Sequence, residues 1–81
     1  MSNSLPIGNI RTAGDMGEQI RVHRKQMGLT QADAAALCGV GTRFLSDLEN
    51  GKPTVELEKA LKVLHSLGLN LTVQSRPWPK A

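Results

Sequence analysis

The chain has 81 residues, of which 40% are hydrophobic, so it can form the core of one small domain, and the length excludes a second folding unit. Its single cysteine excludes an intrachain disulfide framework, and because a core of this size supplies only roughly 3–5 kcal/mol, we expect oligomerisation to supplement it. A net charge of +3, from ten basic and seven acidic side chains, permits nucleic-acid binding without requiring it.

Residues 1–11 are predicted to form an extended N-terminal arm, because they mix Ser, Asn, Pro and Gly. They contain no apolar run that could serve as the core of a signal peptide. The longest run of small apolar residues, 34–38, is too short to span a bilayer. We therefore expect no membrane partner and a reducing, cytoplasmic setting, which also suits one unpaired thiol.

Two helices are predicted next, and each begins at a threonine. Thr12 and Asp15 have the spacing of a capping box, so a first helix begins there and Gly28 ends it. Thr30 and Asp33 repeat the spacing and open a short alanine-rich helix. The small side chains of this second helix allow a neighbouring helix to approach closely.

A third helix follows a glycine-containing connector at 39–41. Thr42 is predicted to cap this helix, and Leu45 and Leu48, three residues apart, are predicted to face the core. Asn50 and Gly51 end it, because glycine readily adopts the left-handed conformation that follows a helix.

A fourth helix is predicted between Thr54, as its cap, and Gly68, which ends it. Hydrophobic residues recur along it with helical spacing, so one face is predicted to pack on the core. The residues of this face are Leu57, Ala60, Leu61, Val63, Leu64 and Leu67.

The hydrophobic period then changes from 3.6 to 2. Leu69, Leu71 and Val73 alternate with polar residues, which is the pattern of a half-buried strand over 69–75. A single strand cannot satisfy its own backbone groups. Because the sequence offers no second strand, we expect this strand to pair with its copy in a homodimer. Residues 76–81 are predicted to form a tail.

The second and third helices with their short connection form a helix-turn-helix unit. The segment GLTQADAAALCGVGTRFLSDLENGK resembles the Cro/C1-type (XRE) helix-turn-helix family, and the resemblance covers residues 16–67. Three departures are small: Ala34 replaces the usual leucine, Phe44 is bulkier than usual, and the link before Thr54 is short. The resemblance implies a mainly α, four-helix, lambda-repressor-like DNA-binding domain over residues 12–68.

The strand narrows the resemblance, because a Cro/C1 domain followed directly by LGLNLTV is similar to HipB-type antitoxins. In those proteins the strand pairs across a two-fold axis, and the partner is a HipA-like kinase toxin. This implies a dimeric, autoregulatory repressor of a palindromic operator. Two alternatives stay open: a stand-alone or phage-type repressor, and a protein-interaction adaptor that has lost DNA binding. The net charge of −3 over residues 30–58 favours the adaptor.

Candidate DNA contacts lie at the beginnings of the second and third helices and just after the third. Gln31 begins the second helix, where free backbone N–H groups favour a phosphate. Arg43 can bind guanine O6 and N7, and the Thr42 methyl group can pack on thymine. Asp47 can accept a hydrogen bond from cytosine, and Lys52 can contact a phosphate. The candidates are Gln31, Thr42, Arg43, Ser46, Asp47 and Lys52.

A structural or interaction role is expected for four further residues. The resemblance implies that Arg24 and Glu49 form a partly buried ion pair between the first helix and the end of the third; the alternative is two unrelated surface charges. Phe44 is expected in the core or an interface, with a thymine contact as the alternative. Trp78, between two prolines, either covers the apolar face of the dimer strand or anchors another protein.

No catalytic or metal site is expected. His23 and His65 are too far apart in sequence to suggest a local metal motif. Cys38 has no recognisable activating partner and is expected to be a small buried hydrophobe. We therefore predict a protein that is not an enzyme and has no cofactor.

Overall fold

The computed structural model describes residues 9–75, and within this range the chain forms four α-helices. They are α1 (Ala13–Gln26), α2 (Gln31–Cys38), α3 (Thr42–Glu49) and α4 (Leu57–Ser66). The predicted mainly α domain is therefore confirmed. Trp78 and most of the predicted arm and tail lie outside the described residues.

The first two helices begin as predicted. The Thr12 hydroxyl accepts a hydrogen bond from the Asp15 N–H at 3.0 Å, and the Asp15 carboxylate accepts one from the Thr12 N–H at 3.2 Å, which completes a capping box. The Thr30 hydroxyl accepts from the Asp33 N–H at 3.0 Å. At each helix start the threonine side chain thus satisfies one of the free backbone donors of the first turn.

The other two helix starts were predicted at the wrong residue. The cap of α3 is Gly41, whose carbonyl accepts the Leu45 N–H at 3.1 Å, so Thr42 is the first helical residue. The cap of α4 is Glu56 rather than Thr54. Thr54 lies in a turn, Val55 is half-buried against the core, and Glu56 has an extended backbone, so the helix begins later than the threonine suggests.

The core lies between all four helices and is built from small and aliphatic side chains. Leu45 and Leu48 are buried as predicted, but Leu57 is 63% exposed because α4 begins at that residue. Cys38 is buried, and its burial raises the pKa of its thiol. The buried hydrophobic residues are Ile20, Ala34, Ala35, Cys38, Leu45, Leu48, Ala60, Val63, Leu64 and Leu67.

The middle of α1 and the end of α3 approach each other at the level of the backbone. A Cβ atom on Gly17 would overlap the Leu48 carbonyl oxygen and lie 2.6 Å from that of Glu49. Gly51 has a φ of +77°, and a Cβ there would lie 2.7 Å from the Gly14 Cα. Only glycine permits these two close contacts, which hold the end of α3 against α1.

After α4 the chain turns at Gly68 and continues as residues 69–75 without an assigned strand; none is assigned anywhere between residues 9 and 75. The Leu69 N–H donates to the Leu64 carbonyl at 2.8 Å, and the Leu69 side chain packs on the core. Beyond it, Leu71 is 40% and Val73 is 95% exposed. A strand needs a partner, and the described part of this single chain provides none.

Candidate nucleic-acid interface

Helix α3 has a buried inner face and an outer face that is open to solvent. Leu45, Leu48 and Glu49 point inward and are buried. On the other side of the helix, the residues at positions i, i+1, i+4 and i+5, counted from Thr42, form one continuous stripe, which we call the outer face of α3. Its members are Thr42 and Arg43, which are exposed, and Ser46 and Asp47, which are partly exposed.

The end of α3 is tied to α1 by a bidentate ion pair. Arg24 Nε donates to Glu49 Oε2 at 2.6 Å, and Arg24 Nη2 donates to Glu49 Oε1 at 3.0 Å. The third nitrogen, Nη1, donates to the Leu29 carbonyl at 2.8 Å. Arg24 is only 7% and Glu49 only 6% exposed, so this pair is largely shielded from water.

Gln31 completes the group of side chains around this carboxylate. Its Nε2 donates to Glu49 Oε1 at 3.0 Å, so one carboxylate receives hydrogen bonds from both α1 and the first residue of α2. This bond uses one N–H of the Gln31 amide, so its second N–H and the free backbone N–H groups at the start of α2 are left for a phosphate.

The environment keeps both partners of the buried pair charged. Burial by itself raises the pKa of the Glu49 carboxyl, but the hydrogen bonds from Arg24 and Gln31 and the Arg24 charge outweigh it, so the pKa lies below its ordinary value. The hydrogen bond to Glu49 raises the pKa of Arg24, against the opposing effect of burial. The three helices are therefore joined by a fixed, ionised contact beneath the outer face of α3.

The structure brings Asp47 and Lys52 together at the end of that outer face. Lys52 Nζ lies 3.6 Å from Asp47 Oδ2, with 54% of the lysine side chain and 34% of the aspartate side chain exposed. The sequence had suggested a separate DNA contact for each residue. In the free protein their charges compensate each other.

Phe44 and His23 each contact another element of the fold. Phe44 is half-buried against the core, and Lys59 Nζ lies 5.7 Å from the centre of its ring. His23 Nε2 is 2.7 Å from the Leu67 carbonyl oxygen, so it carries the proton of a hydrogen bond that links α1 to the end of α4. His65 is exposed on α4.

Besides the pairing of Asp47 with Lys52, the sequence interpretation missed two contacts, the Gly17 crossing and the His23 bridge. Gly17 carried a usable signal, because a glycine inside a helix costs about 1 kcal/mol relative to alanine and often has a packing reason. His23 carried none, since its acceptor is a backbone carbonyl 44 residues away. Among residues 9–75, no group of three or more His, Cys, Asp or Glu could hold a metal ion, and no helix is long and apolar enough to cross a membrane.

Comparison with known proteins places these features in context. A model of the helix-turn-helix family matches residues 20–74. The chain is 44% identical over 64 residues to the uncharacterised HTH-type transcriptional regulator y4mF of Sinorhizobium fredii, which covers 79% of this chain and 84% of that protein.

Solved structures of HipB are similar along their whole length. A HipB variant in an O2 20mer complex has a TM-score of 0.80 and 26% identity, with 89% of this chain and 100% of that chain covered. HipB in a HipA–HipB–O2–O3 complex has a TM-score of 0.79 and 25% identity, with 88% and 100% covered. The likeness therefore extends beyond the matched helices to nearly the whole described chain.

Proposed function

This chain belongs to the helix-turn-helix family, and from that premise we propose that it is a sequence-specific transcriptional repressor that binds a palindromic DNA site as a homodimer. The proposal rests on the two sides of α3. Its outer face is open to solvent, while its end is fixed by the buried contacts of Glu49 with Arg24 and Gln31. A helix held in this way can enter a major groove without losing its orientation.

Each residue of the outer face has a chemistry suited to base edges. Arg43 can donate two hydrogen bonds to guanine O6 and N7, and the methyl group of Thr42 can pack on thymine. Ser46, one turn further along, can bond a base or a phosphate. The backbone N–H groups at the start of α2 and the Lys52 ammonium group would contact phosphates on either side and position the helix.

The acidic character of residues 30–58 does not favour the adaptor as strongly as the charge count suggests. Five acidic side chains face two basic ones in this segment. Glu49, however, is buried and paired with Arg24, and Asp47 is paired with Lys52. Glu56 is paired with Lys59, so three of the five carboxylates have a partner. Because Arg24 and Lys59 lie outside the segment, their charges reduce its net charge from −3 to an uncompensated −1.

The dimer is supported by residues 69–75. Leu71 and Val73 alternate with polar residues and are exposed in the single chain. Pairing of this segment with its copy would cover them and satisfy its backbone groups. A two-fold dimer presents two α3 helices to successive major grooves, with half-sites about 34–36 Å apart.

We further propose that the partner is a HipA-type toxin, so that the repressor is the antitoxin of a pair. The similarity to HipB in a HipA–HipB–O2–O3 complex supports this. The test is co-purification of the tagged chain with the product of a neighbouring HipA-like kinase gene, when both are expressed together. A stable complex that suppresses the kinase is expected; no complex with that kinase leaves a stand-alone repressor.

DNA binding is tested by fluorescence anisotropy with the duplex upstream of the protein's own gene and a scrambled duplex, each at two salt concentrations. We expect a preference for the upstream duplex and a steep fall of affinity with salt. Arg43→Ala should cost about 1–3 kcal/mol on the upstream duplex and relax the preference at one base pair. Lys62→Ala on α4 removes the same charge and should affect both duplexes alike. Equal, weak binding of both duplexes by the unaltered protein would favour the adaptor.

A further inference from the structure

The turn after α3 differs in chemistry from the turns after α1 and α4, although the backbone is the same. In each turn the residue after the glycine donates its N–H to a carbonyl five residues earlier: Leu29 to Arg24 at 3.2 Å, Lys52 to Asp47 at 3.0 Å, and Leu69 to Leu64 at 2.8 Å. This geometry usually brings an apolar residue onto the helix it follows.

After α1 and α4 that residue is a leucine packed on the core, as expected for this turn. After α3 it is Lys52, and the turn delivers its ammonium group to Asp47 instead, with a separation of 3.6 Å. The backbone bond fixes where the Lys52 side chain begins, next to the turn of α3 that carries Asp47, so the fold places the two residues beside each other.

Asp47 occupies a costly place for a DNA-binding surface. It lies on the outer face of α3, where its carboxylate would meet the phosphates of a nucleic acid, and two like charges repel. A carboxylate only accepts hydrogen bonds, so at a base edge it is satisfied by an exocyclic amino group, N4 of cytosine or N6 of adenine. Against any other base edge it is best kept paired with a cation.

We propose that Asp47 accepts a hydrogen bond from an exocyclic amino group in the major groove and that Lys52 is the counter-ion of Asp47. Lys52 moves from Asp47 to a backbone phosphate only on a site that offers that amino group. This rests on the DNA-binding function proposed above. On other sequences the pair stays closed, so Asp47 is neutralised and Lys52 contributes no phosphate contact. The pair thus adds sequence preference without a large penalty on unspecific DNA.

The experiment compares the full chain with Asp47→Ala, Lys52→Met and the double variant. Each protein is titrated with the upstream duplex, a scrambled duplex and a set of single base-pair replacements across the upstream site, over a range of salt. Thermal melting of each protein checks that its fold is intact. Glu56 and Lys59 form a matched control, because Lys59 is also 54% exposed and lies 3.7 Å from its carboxylate partner. The control variants are Glu56→Gln, Lys59→Met and both together.

Three results are expected. Asp47→Ala removes the preference at one base pair, a loss of about 5- to 150-fold in discrimination, which corresponds to 1–3 kcal/mol. With Asp47 present, Lys52→Met lowers the salt slope on the upstream duplex by about one ion and leaves the slope on the scrambled duplex unchanged. In the Asp47→Ala background, where Lys52 is free on every sequence, Lys52→Met lowers the slope on both duplexes. The salt slope of the unaltered protein is steeper on the upstream duplex by about one ion, and Lys52→Met removes this difference. The control pair shows no such coupling.

Two results would overturn the inference: a Lys52→Met variant whose salt slope falls by the same amount on both duplexes while Asp47 is present, or an Asp47→Ala variant that keeps every base preference. Either can occur while the unaltered protein still prefers its upstream duplex, in which case the proposed repressor function stands. If the unaltered protein shows no preference at all, the proposed function fails together with this inference, and the two failures are therefore distinguishable.

Discussion

Two regions of the molecule differ in how completely their own chain covers them. One is the contact between α1 and the end of α3, and the other is the segment 69–75. At the first, backbone meets backbone at Gly17 and Gly51, and the buried charges of Arg24 and Glu49 are fully paired. No buried side-chain nitrogen or oxygen in residues 9–75 lacks a hydrogen-bond partner. In the second, Val73 is 95% exposed.

The difference separates what one chain completes from what it leaves to another. The orientation of α3 depends on contacts that are closed within the chain, so a single copy already has its recognition surface in place. In the segment 69–75, Leu71 and Val73 are exposed and no residue between 9 and 75 covers them, a role that the proposed dimer gives to a second copy. If this division is correct, variants of the first region will act on folding, and variants of the second will act on association.

The largest effect is expected from removing one partner of the buried ion pair. Arg24→Met leaves the Glu49 carboxylate buried without its counter-ion, so the free energy of unfolding should fall by about 3–5 kcal/mol. Urea unfolding followed by circular dichroism measures it. Lys25→Met, at an exposed position of the same helix, is the control and should change stability by less than about 0.5 kcal/mol. Similar losses in both variants would mean that the pair does not hold α3.

A smaller loss is expected at the backbone crossing. In Gly17→Ala the new Cβ meets two carbonyl oxygens of the α3 end, so the helices must separate, at a cost of about 1–3 kcal/mol. Gly14→Ala, one turn earlier, meets only the Thr12 hydroxyl oxygen at 3.5 Å and should be neutral or stabilising by up to about 1 kcal/mol. Thermal unfolding of the two variants measures the contrast, and an equal response of the two glycines would contradict it.

Local sequence signals predicted the helices well where the signal and its partner are close in the chain. The threonine caps at Thr12 and Thr30 lie within one turn of the helices they begin and were both located correctly, although only Thr12 forms the complete capping box. Thr54 failed because the half-burial of Val55, a tertiary contact, decides where α4 begins. Gly17, a glycine inside a helix, signalled a close contact, but its partner at the end of α3 could not be predicted, since it depends on where α3 lies in space.

The candidate site shows the same contrast between features that the sequence indicates and contacts that depend on the folded structure. The family resemblance supplied the Arg24 and Glu49 pairing and the surface of α3, which periodicity alone does not supply. The contact of Lys52 with Asp47 was missed, although the asparagine–glycine stop was recognised. A glycine turn brings the residue after it back over the preceding helix turn, and the sequence interpretation did not follow that consequence to the side chains.

A third effect concerns acid stability. The pKa of Glu49 is lower in the folded chain than in the unfolded one, so the unfolded chain takes up its proton first as the pH falls. The stabilisation is therefore complete above the ordinary glutamate pKa, about 4.3, and is lost as the pH falls through the lower folded value. Glu49→Gln should be less stable at neutral pH but lose less stability in this acid range. Unfolding by urea at a series of pH values measures both, and parallel curves for the two proteins would contradict the assignment.

The smallest effect on folding is expected in the segment 69–75, where the effect on association should be large. Val73→Asp should change the stability of the dilute, monomeric chain by less than about 0.5 kcal/mol, because Val73 makes little contact within it. It should nevertheless weaken the dimer strongly, because a carboxylate would be buried in an apolar interface. Thr72→Asp adds the same charge to the opposite face of the proposed strand and should leave the dimer largely intact. Sedimentation equilibrium over a range of concentrations separates the two variants. If both dissociate alike, the alternation of residues 69–75 does not describe the interface, and the second copy must cover Val73 in another way.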